Sequence, residues 1–97
     1  MQVNIKDTEG GFILAVCDSE LLGNCFSEGD AQLDLTSDFY KGEEKSEDDI
    51  ADLMRNAYLV NLVGEKACNL AKREGLLEDE EIKRIKDVPY AQVLLRE

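Results

Sequence analysis

Asn61-Leu62-Val63-Gly64-Glu65 sets an amide, a glycine and a carboxylate within two turns of what otherwise reads as an apolar helix. A helix that only fills a core needs none of the three. Upstream, Ile50, Leu53, Met54 and Ala57 make a narrow apolar stripe at helical spacing. Leu59, Val60, Val63, Ala67, Leu70 and Ala71 cover a broader arc, turned from that stripe by about 90° at ~100° per residue. One straight helix cannot aim both at one core. A continuous helix over 46–74 would also run about 43 Å, against a radius of gyration near 12–13 Å for a domain of this size. A break between Asn56 and Leu59 is expected, with Asn61, Gly64 and Glu65 on the second of two helices.

The helix boundaries have chemical markers. Ser46 stands three residues before Asp49 and is followed by acids, an N-cap arrangement that suits the positive end of a helix. Gly75 closes the second helix, with Leu76 or Leu77 placed to pack back over its last turn.

Outward from the helices the pattern is that of strands. Val3 and Ile5 alternate with polar neighbours, residues 7–11 supply a turn, and Phe12-Ile13-Leu14-Ala15-Val16-Cys17 is continuously apolar, as in a strand covered on both faces. Residues 18–24 read as a turn or single helical turn closed by Gly23. Cys25-Phe26 and the alternating Ala31, Leu33 and Leu35 give further strands, the latter with one wet face. A loop with Phe39, Tyr40 and Gly42 leads to the helices. Residues 82–86 form a weak strand, Val88-Pro89-Tyr90 a loop, and Gln92-Val93-Leu94-Leu95 the last strand. Strands, then helices, then strands imply an α+β two-layer sandwich, a largely antiparallel sheet with two main helices on one face, in a single domain over 1–97.

Charge narrows the function classes. The chain has 22 acidic and 11 basic residues, a formal charge of −11, which repels phosphate backbones and anionic lipid. The acidity reads first as solubility or adaptation to a salty cytoplasm, and second as recognition of a basic partner. No run approaches the ~20 apolar residues of a membrane span and the N-terminus lacks signal-peptide order, so the cytoplasm is expected. Cys17, Cys25 and Cys68 match neither a zinc knuckle nor a redox pair and read as buried free thiols. The acidic groups at 43–49 and 78–81, and Asp30, Asp34 and Asp38, lack the ligand steps of a calcium loop. No metal and no cofactor are expected. Phe26, Phe39 and Tyr40 have no interleaved basic residues and read as anchors, not as base-stacking groups.

Two places depart from simple core pattern. Asn61, Gly64 and Glu65 fall at the border of the apolar arc, where glycine, costing about 1 kcal/mol in a helix, permits close approach by another segment. Pro89 fixes the backbone where Tyr90 and Gln92 project. Asn61, Gly64, Glu65, Pro89, Tyr90 and Gln92 are therefore the candidate binding residues. The leading reading is a non-enzymatic binding or adaptor module. The alternative is a small enzyme with Glu65 as acid or base and Asn61, Tyr90 and Gln92 orienting substrate; with no histidine, a carboxylate must supply the neutral-pH chemistry.

Cys17-Asp18-Ser19-Glu20-Leu21-Leu22-Gly23, Phe26-Ser27-Glu28-Gly29, Asn61-Leu62-Val63-Gly64-Glu65 and Val88-Pro89-Tyr90-Ala91-Gln92, in that order, resemble a small archaeal family known only as a conserved domain of unknown function. The resemblance spans nearly the whole chain. It implies a single two-layer α/β domain and, by association, a housekeeping partner near the archaeal translation machinery. Family members often carry histidine where this chain has Tyr90, so a role needing imidazole there is not carried over.

The charge predicts that the purified protein gives no saturable anisotropy change with RNA or DNA at physiological salt. Tight binding that weakens steeply with added salt would instead show the basic residues gathered on one face.

Overall fold

A computed structural model describes residues 1–36 and 40–95; Ser37, Asp38, Phe39, Arg96 and Glu97, and with them the readings of Asp38 and Phe39, lie outside the described residues. The strands are β1 (Gln2–Thr8), β2 (Gly11–Cys17), β3 (Cys25–Glu28), β4 (Ala31–Asp34), β5 (Glu43–Glu44), β6 (Leu59–Val63), β7 (Lys83–Ile85) and β8 (Val88–Leu94). The helices are α1 (Glu47–Asn56) and α2 (Glu65–Arg73). Six strands form one sheet in the order β5-β1-β2-β6-β8-β7, while β3 and β4 pair separately. Only β2 and β6 pair in parallel among the described strands, so the sheet is largely antiparallel. The fold is the α+β sandwich expected.

Both helices cover one face. Ile50, Met54, Ala67 and Leu70 meet Leu14, Val16, Val60, Leu62 and Val93 in the main core. Burying such side chains removes apolar area from water at roughly 25 cal/mol per Å². Ser46 accepts the Asp49 amide at 3.3 Å, as an N-cap should. Gly75 has φ +76°, and the Leu76 amide reaches back to the Ala71 carbonyl at 3.0 Å, closing α2 in the Schellman manner while Leu77 is buried.

The opposite face is divided. The β3–β4 hairpin covers one end through a smaller cluster in which Phe26, Leu33 and Tyr40 pack against Cys17, Leu35, Val63 and Val88. Among the described residues the rest is only partly open: of the cross-strand rows Lys6, Ile13, Leu59, Leu94 and Asn4, Ala15, Asn61, Gln92, the ends Lys6, Leu94 and Gln92 are exposed and Ala15 is buried.

Three expectations fail here. The break at 56–59 is real, but residues 59–63 are a strand and not the start of a second helix. A short apolar run fits either period, and pairing with Ile13–Cys17 on one side and Tyr90–Leu94 on the other decides for the strand. Gly64, at φ +110° and ψ 160°, then stands outside α2 as its N-cap. Likewise Val88-Pro89-Tyr90 is strand; the loop is Lys86-Asp87, both at positive φ as a two-residue hairpin of type I′ demands, without the usual Asn-Gly to announce it. Finally, Cys25 is exposed, because its two-stranded hairpin has no layer beyond it; Cys17 and Cys68 are buried. The short β5 had no sequence marker.

Burial, aided by the neighbouring Asp18 charge, raises the Cys17 thiol to about 12 and that of Cys68 to about 11. Both therefore stay protonated and inert at neutral pH. One thiol, Cys25, should label in the native protein and the other two only after unfolding. Mass mapping of the labelled cysteines checks this, and native labelling of Cys68 would show α2 lifting from the sheet.

Candidate functional site

Asn61 and Gln92 face each other across the β6–β8 ladder, and Val63 faces Tyr90. The Gln92 side-chain amide donates to Asn61 Oδ1 at 3.0 Å. Beyond that bond the pair still carries a donor, the Asn61 NH₂, and an acceptor, the Gln92 carbonyl. They line a depression of about 400 Å³ together with Tyr40, Tyr90, Glu81 and Lys83. Tyr40 and Tyr90 are half-buried in the smaller cluster, and burial raises the Tyr40 phenol above its ordinary range. The depression thus has apolar ring walls, an amide pair and one charge of each sign at its rim.

Gly64, Glu65 and Pro89 lie elsewhere. They line a second, shallower depression of about 200 Å³ with Asp18. The Glu65 carboxylate pairs with Arg84 at 2.9 Å on the exposed surface. So the helical grouping of Asn61 with Gly64 and Glu65 is replaced by two groups, one on the open sheet face and one at the strand-to-helix corner. Pro89 joins them through its backbone, its carbonyl accepting the Gly64 amide at 2.8 Å. Its missing N–H is not felt: the carbonyl it would seek, that of Gly64, is already taken by Cys68 at 3.0 Å as α2 begins.

The residue missed by the sequence reading is Asp18, the one buried charged side chain among the described residues. Its carboxylate accepts the amides of Lys66 at 3.0 Å and Ala67 at 2.9 Å. It thereby caps α2 from just past the end of β2, a service that Gly64, having no side chain, cannot perform. Burial raises its carboxyl above the usual range, while the two amides pull it back. A raised folded pKa means that ionisation weighs against folding as pH rises through it, and the amide bonds limit that cost. The sequence signal was a lone acid ending a buried strand, Cys17-Asp18, but its partner could be found only through the β2–β6 register. Tyr40, Glu81 and Lys83 were hidden for the same reason.

A family model described as "Protein of unknown function (DUF424)" matches residues 5–95. The chain belongs to this family. A crystal structure of an uncharacterized conserved protein from Methanopyrus kandleri is 31% identical with a TM-score of 0.82, covering 99% of this chain and 93% of that one. No curated protein matches. The family of unknown function anticipated from the four sequence stretches is thus shown, with its fold. Among the described residues no helix is long and apolar enough to cross a membrane, and no group of three or more Cys, Asp or Glu is placed to hold a metal ion.

A Cβ on Gly64 would sit 2.2 Å from Asp18 Cγ, and its φ and ψ fall where side chains are hardly tolerated. Gly64→Ala should therefore cost about 2–5 kcal/mol and Asp18→Ala about 1–2 kcal/mol in denaturant unfolding. Because the two share one contact, Gly64→Ala should cost less in the Asp18→Ala background. Strict additivity would mean that the clash is not what excludes a side chain at this position.

Proposed function

We propose that this protein is a non-enzymatic binding module of the cytoplasm that receives a protein partner on the open half of its sheet. The observation that carries the reading is the hydrogen-bonded Asn61–Gln92 pair, set in a depression walled by Tyr40 and Tyr90. A donor and an acceptor on one such pair complement a peptide group or primary amide, which offers the reverse pair, and half-buried rings supply contact area at low entropic cost. The formal charge of −11 favours a partner with basic character. The family resemblance makes the translation machinery the first place to look for it.

The enzymatic alternative needs Glu65 in one pocket with Asn61, Tyr90 and Gln92. Glu65 instead lines the second depression and pairs with Arg84. A depression offering amides, phenols and a rim carboxylate is better matched to recognition than to proton transfer.

The double variant Asn61→Ala/Gln92→Ala removes the amide pair from partly exposed positions and should leave stability within about 1 kcal/mol. Its affinity for a captured partner, measured by titration calorimetry at native ionic strength, should fall about tenfold, the worth of one or two hydrogen bonds. Undiminished affinity would remove the amide pair from the binding surface. Retention of a single small metabolite that the protein converts would replace the module by an enzyme.

A further inference from the structure

Among the described residues, the sheet has one edge that is neither paired nor charged. Backbone groups in a strand point alternately to its two sides. The Pro89 carbonyl and the Leu95 amide both bond toward β6, to Gly64 at 2.8 Å and to Tyr58 at 3.0 Å. Tyr90, Gln92 and Leu94 therefore direct their N–H and C=O groups the other way. Tyr90 is met by Lys83 of β7, but β7 starts there. Before it the chain turns off through residues 79–81, where the Glu81 and Ile82 amides bond to the Glu78 and Asp79 carbonyls. The outward backbone groups of Gln92 and Leu94 have no backbone partner among the described residues.

Other edges of this sheet carry charge, which discourages pairing with a foreign strand. β5 presents Glu43 and Glu44, β7 presents Lys83 and Arg84, and the part of β1 beyond β5 includes Lys6 and Asp7. Ala91-Gln92-Val93-Leu94 has none, and Leu94, 55% exposed, is the most exposed large hydrophobic described. An uncharged open edge is an aggregation hazard unless something covers it.

We infer that a partner protein adds an extended, positively charged segment to the outer edge of β8 at Gln92 and Leu94, as a further strand of the sheet. This inference rests on the binding-module reading and names the partner's form. Strand addition draws affinity from main-chain hydrogen bonds and specificity from pockets for alternate side chains. Here the depression at Tyr90 and Gln92 adjoins the open edge, and Leu59 and Ile13 continue the apolar row from Leu94. The occupant is basic because Glu81 lines the depression beside Gln92, within a chain of charge −11. A second copy would set two such chains against each other.

The test uses a short fluorescent peptide of alternating valine and threonine with lysines at both ends, a glutamate-ended version, and a lysine version N-methylated at every second residue. The lysine peptide should bind, more weakly as salt rises, and should slow hydrogen exchange at the Gln92 and Leu94 amides. N-methylation on the pairing side should weaken it about tenfold or more, as should Leu94→Pro, which removes an outward N–H but no ladder bond. The N-methylated peptide keeps the test decisive where Leu94→Pro destabilises the fold. Failure of the lysine peptide to bind, or binding without exchange protection and without sensitivity to N-methylation, overturns strand addition. So does tighter binding of the glutamate peptide, or protection of both amides by self-association in sedimentation without peptide. Those outcomes leave the Asn61→Ala/Gln92→Ala result to judge the binding-module reading separately.

Discussion

The carboxylate of Asp18, placed under the first turn of α2, is the constraint on which the rest of the arrangement depends. β2 and β6 run parallel to their ends at Cys17 and Val63, and the Asp18 amide adds one more bond to the Val63 carbonyl at 3.0 Å. The chain must then turn from strand to helix at Gly64 alone, so that the amides of Lys66 and Ala67 come down on the Asp18 side chain. Taking a carboxylate out of water costs several kcal/mol. Two charge-assisted hydrogen bonds and the positive end of a helix offset that cost. The same turn aims the Gly64 amide at the Pro89 carbonyl and so sets where β8 begins. One buried acid and one glycine thus fix the positions of β2, β6, α2 and β8 relative to each other.

With α2 fixed on one face, the other face has little left to cover it. A chain of this length buries only roughly 60–70% of the surface that its unfolded form exposes. α1 and α2 close the face lined by Leu14, Val16, Val60 and Leu62, and the ion pairs Arg55–Glu74 and Arg73–Glu47 tie the two helices at their exposed margins. Among the described residues, the β3–β4 hairpin with Leu35 and Tyr40 covers part of the opposite face, and it reaches as far as Cys17, Val63 and Val88. The amide row of Asn61 and Gln92 lies where that cover ends. Polar groups at such a border keep their hydrogen bonds without full burial, which is why an Asn–Gln pair is tolerated in the middle of a sheet.

Much of the fold was legible because several elements carry local chemical markers: the β1–β2 hairpin from residues 7–11, α1 from Ser46, the end of α2 from Gly75, and β4 from alternation. What failed lacked such markers. Leu59-Val60-Asn61-Leu62-Val63 is apolar in either period, and its identity as a strand comes from neighbours on both sides, distant in sequence. Asn61 and Gln92 were both singled out, but they meet through ladder register and not on a helix face, so Glu65, one turn onward in the helical reading, is carried to the other depression. Asp18 was illegible for the same reason: a cap supplied from a residue distant in sequence leaves no spacing pattern near the helix that it caps.

Net charge and local charge say different things about what this surface can meet. A formal charge of −11 sets the long-range field and repels polyanions, but at physiological salt that field decays over about 8 Å. At the open face the charges that count are those at the rim of the depression, Glu81 and Lys83, and those that follow closely in the chain. The acids of α1, at Glu47, Asp48 and Asp49, occupy its first turn in the layer on the opposite side of the sheet, where they complement the helix end. Those three acids are accounted for by local structure, as is Asp79, which pairs with Lys72, whereas Glu81 lines the depression on the other face. Selection there acts mainly on association rate and on the sign of the partner's charge, while the uncharged β8 edge and the amide pair act on how long it stays.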